Sequence, residues 1–243
     1  MVAKNYDKIM RAVELLADAE SKDVYASMIL KRIANEPVTD FSQRQYFAMP
    51  AFAGEAPGEV FVDMGAFVGD TVERYLFERF GTFGKAYAFE PYLPNYQAMQ
   101  VRFARLRQEW GLADDRLLPI CGGVGRETGM SSIEAGNNGG LGAGFREDGA
   151  GELQHIYAVD EYFKDIHVDF LKADIESYEL DMLQGAEKVL RRDRPKLALA
   201  IYHNASDMYT IINFLAEMDL GYNFALRHHS STYADTVLYA WKD

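Results

Sequence analysis

Over residues 4–35 the apolar positions fall on helical spacing. Tyr6, Met10, Val13 and Leu16 step by three and four, Val24, Met28 and Ile29 follow, and the pattern predicts two helices. Ser21 is the expected cap of the second, with Asp23 near its positive end. Pro37, Pro50 and Pro57 argue against one long helix in the mixed segment that comes next. From residue 59 the pattern changes. Short apolar runs without polar alternation recur at VFVD (60–63), AYAFE (86–90), LLPIC (117–121), DFLKAD (169–174) and KLALAIY (196–202). Such runs predict parallel strands covered on both faces.

Helical patterns separate these strands. Val72, Tyr75, Leu76 and Phe80 predict a helix capped by Asp70 or Thr71 and closed by Gly81. Pro94 suits the start of the next helix, in which Tyr96, Met99, Phe103, Leu106 and Trp110 line one face before Gly111. Another helix is expected from Tyr178 to Arg192, its acids early and Arg191 and Arg192 late, and one more near 207–220. Strand and helix in alternation imply an α/β sheet with right-handed crossovers. At the end the alternation breaks: YNFALRHH and TVLYAW, joined by SSTYAD, read as an antiparallel hairpin. The expected organisation is an N-terminal helical extension (1–58) followed by one α/β domain (59–243) with a Rossmann-like, mainly parallel sheet that ends in that hairpin.

Composition narrows the function. With 49% hydrophobic and 26% charged residues, the chain can build a real core. Its formal charge of −12, from 37 acids against 25 bases, repels phosphate backbones and argues against nucleic acid as a partner. Cys121 is the single cysteine, so neither an internal disulfide nor a cysteine zinc cluster is expected. No apolar run approaches the ~20 residues of a membrane helix, and the N-terminus is charged throughout, unlike a signal peptide. These features lead to an expectation of a soluble, cytoplasmic protein. The stretch from Cys121 to Gly151 holds 11 of the 20 glycines. Its centre, Gly136–Gly151, reads as a surface loop or as a flexible cover over a cleft.

The most informative motif is VFVDMGAFVGDT, residues 60–71. A buried strand ends at Asp63, Gly65 and Gly69 lie in the turn, and a helix starts near Asp70. Glycines there let backbone approach a ligand at the carboxyl ends of the strands. The G-x-x-x-G spacing without a following lysine fits neither the dinucleotide fingerprint nor a P-loop. Asp63 would repel a pyrophosphate and attract an ammonium or sulfonium group. The next strand ends at Glu90, whose carboxylate can accept both hydrogen bonds of a ribose diol. Together the two acids point to a nucleoside with a cationic end.

Asp63, Gly65, Gly69 and Glu90 in this order resemble the S-adenosylmethionine site of a class I methyltransferase. More closely, VFVDMGAFVGDT, YAFEPYLPNY, the segment from DFLKADIESYE to LALAIYH, and the terminal hairpin resemble the FkbM family across residues 59–241. The resemblance implies methyl transfer from S-adenosylmethionine, commonly to a hydroxyl of a sugar or polyketide. It implies that Asp63 faces the methionine ammonium, that Gly65, Ala66, Phe67 and Gly69 pass under the cofactor with Asp70 and Thr71 behind them, and that Glu90 holds the ribose. Gly122 and Gly123 would border the adenine or serve as ordinary turn glycines. Asn95 also recurs in the family pattern. One departure is Ser177, where the family usually carries glycine after D-I-E.

An alcohol attacks a methyl group only when its proton can leave, so a base or a metal is expected. Asp174, Glu176 and His203 lie at strand ends and are the catalytic candidates, His203 having the most suitable intrinsic pKa. The same three could hold magnesium or manganese, although no metal ligand set is assigned. His228 and His229 read as a solvated strand end or a substrate wall. The expected partner is a small-molecule or glycan hydroxyl acceptor, and the sequence leaves the oligomeric state open. Two rival readings are an NAD(P)-dependent oxidoreductase and a non-catalytic interaction module with a vestigial pocket.

Overall fold

A computed structural model describes residues 2–134, 144–146 and 152–242. In chain order the first elements are α1 (Tyr6–Leu15), α2 (Ala19–Ala34), β1 (Val60–Met64), α3 (Asp70–Glu78), β2 (Lys85–Glu90), α4 (Leu93–Trp110) and β3 (Leu117–Cys121). A β-rich stretch follows, with β4 (Gly123–Gly125), β5 (Gly129–Glu134), β6 (Gly144–Arg146), β7 (Glu152–Ala158) and the short α5 (Val159–Tyr162). The remainder is β8 (Phe170–Ala173), α6 (Glu179–Gln184), α7 (Glu187–Asp193), β9 (Lys196–Ala200), α8 (Asp207–Glu217), β10 (Asn223–His228) and β11 (Thr236–Trp241). The chain divides into two units, Gly54–Pro195 and a second that joins Met1–Ala53 to Lys196–Asp243.

In the unit Gly54–Pro195, β8, β1, β2 and β3 run parallel in that spatial order. β1 is central and buried along most of its length, which explains its unbroken apolar pattern. Phe61 stacks on Tyr75 with ring centroids 4.3 Å apart and meets Phe170 at 4.8 Å. At the amino end of β1, buried Arg79 donates to both oxygens of Glu59, which also accepts from the Tyr75 hydroxyl at 2.9 Å.

Helix boundaries differ from the sequence reading at three places. α3 has Gly69 at its N-cap, at φ +80°, with no side-chain cap, so neither Asp70 nor Thr71 plays that part. A Cβ on Gly69 would lie 2.8 Å from the Phe103 ring, so close packing demands the glycine. The expected helix Tyr178–Arg192 is broken into α6 and α7 around Gly185. A Cβ there would lie 2.3 Å from the Gly125 carbonyl, and at the break the Asp160 amide donates to the Gly185 carbonyl at 2.8 Å while its carboxylate accepts from the amides of Lys188 and Val189. In the other unit α2 is capped by Asp18, which accepts from the Ser21 amide at 2.8 Å, and not by Ser21.

The glycine-rich region holds more structure than its composition suggested. β4, β7, β5 and β6 form a second sheet in that order, β4 and β7 parallel and the other pairs antiparallel. Gly144–Arg146 is therefore strand and not loop. The rest of the expected cover, at 136–143 and 147–151, lies outside the described residues.

In the unit built from the two chain ends, β9, β11 and β10 are antiparallel neighbours, which agrees with the expected hairpin. α1 packs on α8 and α2 on β10. Arg227 reaches Asp18, Glu20 and Ser21 on α2. Among the described residues no helix is long and apolar enough to cross a membrane.

Candidate functional site

The carboxyl ends of β1, β2, β3 and β8 share one edge of the parallel sheet, and most of the expected site residues lie there. Asp63 is the fourth residue of β1 and is wholly buried, at 0% exposure. Its register partner on β8 is Lys172, 2% exposed, whose ammonium stands 2.8 Å from Asp63 Oδ1. Burial pushes the Asp63 carboxyl up, with Lys172 opposing that shift. Burial pulls the Lys172 ammonium down, but Asp63 and Asp174 outweigh it and hold its pKa above the ordinary lysine value. Lys172 therefore carries its charge.

The turn after β1 is tied to both neighbouring strands. The amides of Gly65 and Ala66 donate to the Phe89 carbonyl at 3.1 and 2.9 Å. Lys172 Nζ donates to the Gly65 carbonyl at 2.8 Å and to that of Met64 at 3.4 Å. Gly65 has φ +77°, and a Cβ on it would lie 1.9 Å from the Asp174 carbonyl oxygen. No other residue type fits without moving the loop that follows β8. Phe67, also at positive φ (+48°), is half-buried, and Asp70 and Thr71 begin α3 with Asp70 exposed.

Glu90 closes this arrangement from β2 and is 5% exposed. Its Oε2 accepts from the Phe67 amide at 2.9 Å, and Oε1 accepts from the Tyr92 amide at 2.9 Å and from Asn95 Nδ2 at 3.5 Å. Burial pushes its pKa up to about 7 against these bonds. A carboxylate has about four acceptor positions, so the ionised form retains room for further donors. Cys121, its register partner on β3, is followed by Gly122, whose amide donates to the Glu90 carbonyl at 3.2 Å. A Cβ on Gly122 would lie 2.6 Å from the Tyr157 ring. Gly122 is thus required by packing, while Gly123 opens β4.

The loop after β8 contains Asp174, Glu176 and Ser177. The Asp174 amide donates to the Met64 carbonyl at 3.0 Å, which brings the loop beside the β1 turn. Glu176 and Ser177 have φ +55° and +84°. Ser177 thus keeps the left-handed backbone that glycine would adopt without strain. Fully buried Glu179 accepts from the Ile175 amide at 2.8 Å.

A family model described as the Methyltransferase FkbM domain matches residues 63–224. The chain belongs to the FkbM methyltransferase family. Its fold is similar to that of Methyltransferase FkbM from Methylobacillus flagellatus KT, with TM-score 0.80 and 23% identity over 99% of this chain. The chain spans only 60% of the length of that structure. More distant likenesses include an rRNA methylase from Streptococcus thermophilus (TM-score 0.47, 15% identity, 76% of this chain and 87% of that one). Another is Precorrin-6y C5,15-methyltransferase from Geobacter metallireducens GS-15 (TM-score 0.48, 9% identity, 84% and 95%). No curated protein matches the chain by sequence.

In this FkbM chain the remaining candidates belong to the other unit. His203 follows β9 and is half-buried, its ring 4.2 Å from that of Tyr202. His228 and His229 are not a solvated strand end. His228 is buried between the Thr236 hydroxyl and the Thr232 carbonyl, each at 2.9 Å. His229 Nδ1 donates to the Ser42 carbonyl at 3.0 Å, which leaves Nε2 to accept from the Tyr239 hydroxyl at 2.9 Å. Burial lowers both histidines, His229 to about 4, so both are neutral near pH 7.

Sequence reasoning missed Lys172 and Glu179. A lone lysine inside the buried run DFLKAD was the available signal, because a lysine there must have a partner. Which partner could be known only once β8 was placed in register beside β1.

Proposed function

We propose that this chain transfers the methyl group of S-adenosylmethionine to a hydroxyl of a sugar, a glycan or a polyketide-type small molecule. The reading rests on the buried Glu90 carboxylate beside the 65–69 turn, within a family defined by methyl transfer. The donor set suits the cofactor. Glu90 has acceptor capacity for a ribose diol, the turn itself carries no basic residue to meet a phosphate, and acids stand at two adjacent strand ends.

When bound, S-adenosylmethionine supplies a methyl group on a positively charged sulfur. The turn Gly65, Ala66, Phe67 and Gly69 would support its amino-acid end, with Asp63 beneath it, held to Lys172, and with Asp70 and Thr71 behind. Glu90 would hold the ribose, and Gly122 and Gly123 would border the adenine. His203 is assigned as the base that takes the acceptor's proton, and Asp174 and Glu176 are kept as further catalytic candidates. The catalytic domain is assigned to residues 59–243, with 1–58 as a helical extension. The net charge of −12 favours an uncharged or cationic acceptor over nucleic acid. The single cysteine suits a cytoplasmic setting.

Calorimetric titration with S-adenosylhomocysteine and NAD side by side tests this reading. We expect micromolar affinity for the first, roughly −8 kcal/mol, and none for NAD. Tight NAD binding would favour the oxidoreductase, and no binding of either would favour an interaction module. With an accepted hydroxyl substrate in hand, His203→Ala should retain S-adenosylhomocysteine binding and slow transfer by ~10²–10⁴-fold. Wild-type turnover would remove His203 from the chemistry.

A further inference from the structure

We propose that Lys172 is a positioning residue that clamps the 65–69 turn, so that the Asp63–Lys172 pair serves the site through backbone geometry and not only as a neutralised charge. The ammonium has three acceptors around it. It lies 2.8 Å from Asp63 Oδ1, 2.8 Å from the Gly65 carbonyl and 3.4 Å from the Met64 carbonyl. An ammonium has three donors, and these three acceptors all lie at one strand end. A pair that needed only a counter-ion for Asp63 would not require carbonyls of the turn.

The placement has a topological cause. Lys172 and Asp63 are register partners on adjacent parallel strands, so their side chains project on the same face. The long lysine stem carries its head past Asp63 to the first residue of the turn. Phe89 anchors the amides of Gly65 and Ala66 from β2, Glu90 anchors that of Phe67, and Lys172 anchors the Gly65 carbonyl from β8. Without Lys172 the Gly65 carbonyl loses its bond from β8, and the Asp174 amide on the Met64 carbonyl, one residue before the turn, remains on that side. Gly65 at φ +77° then has a glycine's full freedom to leave its conformation. The role in ligand binding rests on the proposal that this turn supports S-adenosylmethionine, whereas the clamp itself does not.

Two readouts separate these statements. Hydrogen exchange of the Gly65–Asp70 amides in the ligand-free protein reports the clamp. Calorimetric titration with S-adenosylhomocysteine reports its use. The variant Lys172→Met/Asp63→Asn removes both charges and avoids leaving a buried carboxylate unpaired. We expect it to melt near the wild type, to exchange these amides at least tenfold faster while β2 and β3 keep their protection, and to bind at least tenfold more weakly. Lys172→Gln, one atom shorter but still a donor, should fall between wild type and the double variant in both readouts, and it stands in if the double variant does not fold. Unchanged exchange in either variant overturns the clamp and leaves Lys172 as a counter-ion. Faster exchange with unchanged affinity overturns its role in binding. Failure of the wild type to bind at all counts against the cofactor reading, and the exchange result still judges the clamp.

Discussion

If Glu90 holds the ribose as proposed, cofactor binding should depend on pH near neutrality. Its carboxyl is raised to about 7 by burial, and both of its oxygens accept from backbone amides, those of Phe67 and Tyr92. Protonation turns one oxygen into a donor and removes acceptor capacity where a ribose diol would bind. Only the ionised form can serve the amides and the diol together. Each pH unit below 7 should therefore cost about 1.4 kcal/mol of binding, so at pH 5 the affinity is about 100-fold below its plateau. Titration with S-adenosylhomocysteine from pH 5 to 8.5, in two buffers of different ionisation enthalpy, would show this slope. It would also show release of about half a proton near pH 7. Glu90→Gln should bind about 1.5–3 kcal/mol more weakly at the plateau and lose the slope. In the ligand-free protein the sign reverses. A carboxyl raised on folding stabilises most below the unfolded value near 4.5, and that stability is lost as pH rises through about 7, by up to ~3 kcal/mol. Affinity that stays flat between pH 5.5 and 8, or a proton uptake in place of release, would refute the ribose assignment.

Other outcomes can be checked one substitution at a time. Gly65→Ala places a Cβ 1.9 Å from the Asp174 carbonyl; it should cost roughly 2–4 kcal/mol in denaturant melts and abolish S-adenosylhomocysteine binding. Ser177→Gly relieves a residue at φ +84°, so a gain of up to ~1 kcal/mol is expected, and a loss would mean the Ser177 side chain contributes more than the strain costs. His229 is lowered on folding to about 4, so its contribution is present above the unfolded value near 6.5 and is lost as pH falls through about 4. His229→Gln should remove about 2–3 kcal/mol of the stability difference between pH 7 and pH 4, and an unaltered acid melt would show that His229 is protonated in place.

How much of this protein could be read from the chain alone follows from which interactions are local. β1, β2, β3, β8 and β9 lie where short apolar runs mark them, because strands covered on both faces need such runs whatever their neighbours. The motif from Asp63 to Gly69 and the acid at Glu90 are equally local, and their place at the carboxyl ends of β1 and β2 was legible. The parts that were not legible depend on contacts distant in sequence. The break at Gly185 goes with Asp160, 25 positions away, which bonds the Gly185 carbonyl and the amides of Lys188 and Val189, and the second sheet comes from pairing of strands with little apolar pattern, two of them only three residues long. His229 reads as solvent-facing until Ser42 and Tyr239 enclose it. Asp63 reads as an acid awaiting a ligand cation until β8 sets Lys172 beside it. A sequence carries propensity and period, which decide the elements; strand order and register decide which buried charge meets which, since only they bring distant residues within hydrogen-bonding distance.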